Sequence, residues 1–228
     1  MPELKKTPGK CSQSQHGCSE RSGWRPVSVR YSGMLNHTKP LLFGLTLLFS
    51  GLTSAQISNS GAGTPQYRKD GQMKLPEDYR QWVYLTTGFD MSYNPAMQMD
   101  HHMFDNVFVN PEAYKAFMAT GKWPDKTTFV LEARRAMDKG SINQRGNYQG
   151  SDVMGLEVHV KDETRFPGKW AFFAFGNAKT ATITPATAEC YSCHAMHGAV
   201  DTTFVQFYPT LLPIANSKGT LAPGYSAR

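Results

Sequence analysis

Two cysteines three residues apart, followed at once by a histidine, stand near the end of this 228-residue chain: Cys190-Tyr191-Ser192-Cys193-His194. This is a complete C-x-x-C-H, the attachment signature of haem c. The spacing carries the chemistry. On a helix, residues i and i+3 share a face, so both sulfurs can add to the two vinyl groups of one porphyrin. The next residue presents an imidazole to the iron, the usual proximal arrangement in haem proteins. The motif therefore predicts one covalently attached haem c, with Cys190 and Cys193 as thioether donors and His194 as proximal iron ligand. It also requires a short helix late in the chain, for which Thr187 is the candidate cap.

Two other uses of paired cysteines fit less well. A thioredoxin-like redox pair follows the first strand of a βαβ unit, and no such unit precedes Cys190. A zinc half-site needs two further good ligands, and no second cysteine pair supplies them beyond Cys11 and Cys18.

Those two cysteines fall in a segment with a different character. Residues 34–55 (MLNHTKPLLFGLTLLFSGLTSA) have Lys39, then an apolar run from Leu41 to Leu52, then the small residues Thr53-Ser54-Ala55. This is the layout of a secretory signal peptide cleaved after Ala55. The run is about half the roughly 20 apolar residues that span a bilayer, so no stable membrane anchor is expected. Residues 1–33 are basic and polar, without periodicity, and translation is expected to start at Met34. The mature protein is then exported and periplasmic. Residues 1–55 hold seven of the 24 Lys/Arg and two of the 18 Asp/Glu, so five of the six net positive charges lie there. The remaining near-neutral domain gives no electrostatic reason to expect a nucleic-acid partner.

Residues 56–74 read as a flexible segment, 75–215 as the haem domain and 216–228 as a tail. A short helix is predicted from Pro76 to about Trp82, with strands at 83–87, 105–109, 127–137, 153–160 and 170–175. The last, WAFFAF, is apolar enough to be central in a sheet. Pro111 at the first helical position and Gly121 past the end bound a helix over 111–120, with Tyr114, Phe117 and Met118 on its inner stripe. A second helical stretch is predicted over 202–208. The class is α+β: a mainly antiparallel sheet of about five strands with helices packed on it and a C-terminal haem-binding helix.

A sixth iron ligand would have to be His or Met. His197 is on the same helix as His194 and cannot reach the opposite haem face; His159, alternating with Val158 and Val160, is expected to face solvent; His101-His102 is expected to be a loop surface pair. Most charges, including Asp105, Glu132, Arg134 and Arg135, are expected at the surface, with Glu132 and Arg134 on one side of their strand. Five-coordinate iron with an open apolar distal side follows, which suits a small gas.

Several blocks in order resemble the cytochrome P-460 family, which includes cytochrome c′-beta: LPEDYRQWVYLTTG (75–88), NVFVNPEAY (106–114), TGKWPD (120–125), GLEVHVKD with FPGKWAFFAF, and TAECYSCH followed by DTTFVQFYP. The resemblance implies a mainly antiparallel fold, a homodimer, a periplasmic location, and binding of nitric oxide or oxidation of hydroxylamine. In the oxidising members a lysine just before a glutamate is bonded to the haem edge. Here that position is Leu131, before Glu132, while Lys126 and Lys139 do not match and read as solvated turn residues. A leucine cannot form the cross-link, so the resemblance favours a gas or nitrogen-oxide ligand. An oxidoreductase acting on hydroxylamine or peroxide and a simple electron-transfer cytochrome with a redox partner protein are the competing readings.

Overall fold

The computed structural model describes residues 63–93 and 100–225. The signal peptide expected over 34–55 and the extension before it lie outside the described residues. Among the described residues no helix is long and apolar enough to cross a membrane.

The elements run β1 (Met73–Lys74), a 3₁₀ turn at Tyr79–Gln81, β2 (Val83–Phe89), β3 (Met103–Val109), α1 (Pro111–Thr120), β4 (Thr128–Met137), β5 (Tyr148–Lys161), β6 (Trp170–Ala174), β7 (Thr180–Ala181), α2 (Glu189–His197), a 3₁₀ turn at Val205–Phe207 and α3 (Leu212–Lys218). Strands β2-β3-β4-β5-β6 form one antiparallel sheet in sequence order, and β1 pairs with β7 in a second. The α+β class and the five strands are as the sequence predicts. Helix α1 has the predicted bounds, and Gly121 closes it at φ 70°, a left-handed value that a glycine adopts without strain.

The register decides which side chains share a wall. Val107 of β3 pairs with Leu131 of β4, and Leu131 pairs with Glu157 of β5. Val109 pairs with Phe129, Phe129 with His159, and His159 with Phe172 of β6. Because strand side chains alternate, these two rows project from the same face. That face carries a core of Leu85, Val109, Phe117, Trp123, Phe129 and Trp170, closed by α1, α3 and the segment before α3. The opposite face packs Val130, Val158, Val160 and Phe173 against Met73, Tyr79, Trp82 and Ala181.

A sheet covered on both faces explains the departures from the sequence reading. His159 is buried, not solvent-facing, because residues 158–161 of its strand are covered on both faces. Trp170–Ala174 is an edge strand, not a central one. It is apolar because both faces are covered, and the bridge from Phe173 to Ile183 caps part of its edge. Glu132 is buried rather than at the surface. It shares its side of β4 with Arg134, as alternation requires, and accepts hydrogen bonds from Tyr79 Oη, Arg80 Nε and Nη2, and Arg134 Nε. On α1 the buried pair is Ala113 and Phe117, while Met118 is exposed. The stretch 202–208 makes only one 3₁₀ turn, and the 76–82 helix reduces to another. Residues 63–74 contribute β1 and the fully buried Met73, and Leu221 and Tyr225 pack on the core beyond α3.

Candidate functional site

Helix α2 carries Cys190, Cys193 and His194 on two consecutive turns. Both thiols are free and half-buried. No residue of α2 is fully buried. Ring contacts with Phe172 and Phe204 and a set of hydrogen bonds hold it. Tyr191 Oη donates to Thr184 O at 3.1 Å and accepts the Phe172 N–H at 3.3 Å, which ties the helix to β6. Ala188, not Thr187, takes the N-cap position, and no side chain caps this end.

Gly198 ends the helix in a turn too tight for a side chain. A Cβ there would stand 2.7 Å from Asp201 O and 2.8 Å from His194 O. The turn brings Thr202 back over the helix, where its carbonyl accepts a hydrogen bond from His194 Nδ1 at 2.7 Å. Two side chains, Trp123 and Lys161, anchor the same turn from the sheet side. Trp123 Nε1 donates to Thr203 Oγ1 at 2.8 Å, and Lys161 Nζ reaches Trp123 O at 2.8 Å and Asp201 Oδ2 at 3.3 Å.

With Nδ1 committed to Thr202, the ring offers Nε2 to a metal, the tautomer that a backbone acceptor on the other nitrogen selects. Aromatic rings enclose the imidazole: Phe204, Phe172 and His159 have centroids 4.1, 4.7 and 4.9 Å away. Burial lowers the His194 pKa, against the opposing pull of the Thr202 carbonyl, which favours the neutral ring that a metal needs. His159 is held far below its ordinary value, first by burial and then by His194.

His194 opens onto a cavity of about 210 Å³ between α2 and the sheet. Its walls include Val107, Phe129, Leu131 and Phe172 from the sheet, and Phe204 and Tyr208 from the chain after α2. Leu131 thus lies on the wall. Asp105 and Glu157 also line the cavity, and among its described lining residues there is no Lys or Arg. Burial first, then the charges of Glu157 and Asp90, push the Asp105 carboxyl up to about 6; burial raises Glu157 too. Met91, from the loop after β2, stands at the mouth.

The other sequence candidates lie elsewhere. His102 stacks on Phe89 and bonds Asp90 through Nδ1, and neither His101 nor His102 is among the cavity's lining residues. Lys126 sits in a turn, paired with Asp125 and Asp162, and the Lys139 carbonyl accepts from Tyr148 Oη. Among the described residues no group of three or more His, Cys, Asp or Glu converges as a metal site would require. Sequence reasoning missed Glu157, Thr202 and the inward His159. The signal for Glu157 and His159 was their alternation with Val158 and Val160, read for the wrong face.

The donor set fits a haem better than the alternatives: one neutral imidazole, two free thiols at i and i+3, and a cavity walled by aromatic and aliphatic side chains. No curated protein matches the chain. The family model described as Cytochrome P460 matches residues 76–205, a span that contains both sheet rows, all of α2 and every cavity-lining residue except Phe207 and Tyr208. A match over more than half of its length places this chain in the cytochrome P460 family, as a haem-binding cytochrome.

Proposed function

We propose that the protein is an exported c-type cytochrome with one haem, binding a small gaseous or nitrogen-oxide ligand, nitric oxide, at an open iron site. Cys190 and Cys193 would hold the haem through thioethers, and His194 Nε2 would ligate its iron. When bound, the haem supplies a ligand-binding, redox-active metal. The chain's own residues do the rest. Thr202 orients His194, the sheet row Val107–Leu131 offers an apolar wall, and the tight turn at Gly198 keeps the imidazole in place.

One observation carries this reading. His194 is the only imidazole that both faces the cavity with its Nδ1 already bonded to backbone and directly follows the paired thiols, among the described residues. Leu131 on the cavity wall supports ligand binding over hydroxylamine oxidation, because it cannot form the lysine cross-link of the oxidising relatives. A periplasmic location, a homodimer and a redox partner protein belong to the same proposal, on the grounds of the leader sequence and the family resemblance.

A second reading has its own observation. Met91 lines the cavity mouth, and a thioether is a common sixth ligand in electron-transfer cytochromes. The absorption spectrum of the ferrous protein, with and without nitric oxide, separates the two. Five-coordinate iron that binds nitric oxide supports the first. A six-coordinate low-spin spectrum that becomes five-coordinate in Met91→Leu overturns it in favour of electron transfer. Steady turnover of hydroxylamine with an electron acceptor would overturn the argument from Leu131.

A further inference from the structure

We infer that His159 is a positioning residue for His194: acting through Thr202, it fixes the plane of the imidazole presented to the iron. The inference rests on the reading of His194 as the iron ligand and concerns a residue on the sheet, 35 positions earlier in the chain.

His159 is only 9% exposed. Its ring lies face to face with Phe172, centroids 4.0 Å apart and planes 8° from parallel, with Trp170 at 4.5 Å on the same strand as Phe172. The opposing Phe129 stacks at 6.1 Å. A ring so bracketed has one plane, because tilting would drive it into its neighbours, and the Thr202 hydroxyl selects the orientation within that plane. That orientation puts Nε2 3.3 Å from Thr202 Oγ1 and the ring edge-on to His194 at 74°. Thr202 is therefore held at two points. Its hydroxyl bonds the rigid strand β5 through His159, and its carbonyl accepts from His194 Nδ1.

The other anchors of the turn act on its neighbours: Thr203 through Trp123, and Asp201 through Lys161. Among the described residues, His159 is the side chain that grips the Thr202 hydroxyl. A partner on the second nitrogen of a metal-bound imidazole sets both its rotation about the metal bond and its basicity, and removing such partners typically costs about 10- to 100-fold in metal affinity or activity. A histidine chosen only to fill this space would be replaceable by phenylalanine, which stacks on Phe172 equally well. The imidazole adds only a nitrogen for the Thr202 hydroxyl.

The test uses the full haem-loaded protein and four variants: His159→Phe, Thr202→Val, the double variant and His159→Gln. Thr202→Val removes the hydroxyl but keeps the carbonyl that His194 uses. The readouts are the iron–imidazole stretching band of the ferrous protein and its reduction potential. His159→Phe and Thr202→Val should each broaden and lower that band. Each should also shift the one-electron equilibrium toward the oxidised-to-reduced direction, raising the potential by about tenfold in the equilibrium constant, or about 59 mV. The double variant should go no further than either single one, and His159→Gln, whose amide can take the same bond, should recover most of the difference. Wild-type behaviour in both single variants, or additive effects in the double, overturns the inference. Should His159→Phe fail to accumulate, Thr202→Val against His159→Gln decides it on the same criterion. A wild-type protein whose ferrous iron is five-coordinate yet shows no iron–imidazole band defeats the reading of His194 as ligand, and this inference with it; where the iron is six-coordinate, the potentials of the same variants decide on the same criterion.

Discussion

Replacing Asp105 with asparagine should stabilise the folded protein at neutral pH and make little difference in acid. Asp105 lies on the cavity side of β3, paired with Gly88 on one neighbour and Ala133 on the other. Burial, then the Glu157 and Asp90 charges, raise its pKa from 3.8 to about 6. The folded state therefore holds this proton more tightly than the unfolded chain. Between those two pH values the native protein binds more protons, so its stability falls as pH rises through the window. The full shift would correspond to roughly 3 kcal/mol lost above pH 6. Asp105 is partly exposed, and water screening reduces that to about 1–2 kcal/mol. Asparagine keeps the shape and carries no charge to desolvate. Guanidinium unfolding followed by circular dichroism, on wild type and Asp105→Asn at pH values from about 4 to 8, measures the difference. Carboxylates whose pKa is lowered on folding, such as Glu132 and Asp162, tilt both curves the other way and cancel in the comparison. The variant's advantage should grow from near zero at the acid end to its plateau above pH 6. Glu157→Gln, which removes one of the charges that raise the Asp105 pKa, should move the wild-type transition toward lower pH. A difference that stays constant across the range, or a wild type more stable at neutral pH, refutes the reasoning.

Phe117 is fully buried with its ring 4.1 Å from that of Trp123, so Phe117→Ala should cost about 3–5 kcal/mol in the same unfolding assay. Because Phe117 does not line the cavity, the ferrous absorption spectrum should be unchanged. Glu132→Gln should cost about 2–3 kcal/mol at pH 7, less than a fully buried ion pair because Arg80 is half-exposed and can return to water. The Glu132 carboxyl is pushed up by burial but pulled below its ordinary value by Arg134, Tyr79 and Arg80, so its contribution is lost as pH falls; the variant's stability should decline less in acid than that of wild type. Cys190→Ala and Cys193→Ala should each retain pigment through acid–acetone extraction by the remaining thioether, whereas the double variant should release it; release from wild type would remove the covalent haem from the proposal.

Much of the fold was legible where local chemistry is decisive. Helix α1 begins at Pro111 and ends at Gly121 because a proline without N–H and a residue tolerant of positive φ mark those ends whatever surrounds them. The haem motif was legible for the same reason: three residue types at fixed spacing need no tertiary information. What failed depended on what lies across the sheet. Val158-His159-Val160 alternates as a half-buried strand does, and nothing within the strand says that the N-terminal segment covers one face and the chain after α2 covers the other. WAFFAF has the composition of a central strand, yet its place at the edge is set by topology. The stretch 202–208 has helical composition, but the carbonyl of Thr202 is directed at His194 and Thr203 Oγ1 bonds Trp123, and those long-range contacts hold the chain in a turn.

The division of labour between sheet and helix follows from the same facts. Helix α2 carries the reactive side chains but buries none of them fully; it is held by hydrogen bonds, Tyr191 to β6 and the preceding loop and His194 to Thr202, and by the rings of Phe172 and Phe204. The sheet carries no thiol, yet β4, β5 and β6 place Leu131, Glu157, His159 and Phe172 in two adjacent rows under the helix. Strands β4 and β5, paired on both sides, hold side chains to tighter positions than a nine-residue helix lying on the surface can. Specificity in this site therefore belongs to the sheet. Exchanging α2 residues other than Cys190, Cys193, His194 and Tyr191 alters little that the cavity presents, whereas a one-residue slip of β5 against β4 would take Glu157 and His159 out of the cavity and put Leu156 and Val158 in their place.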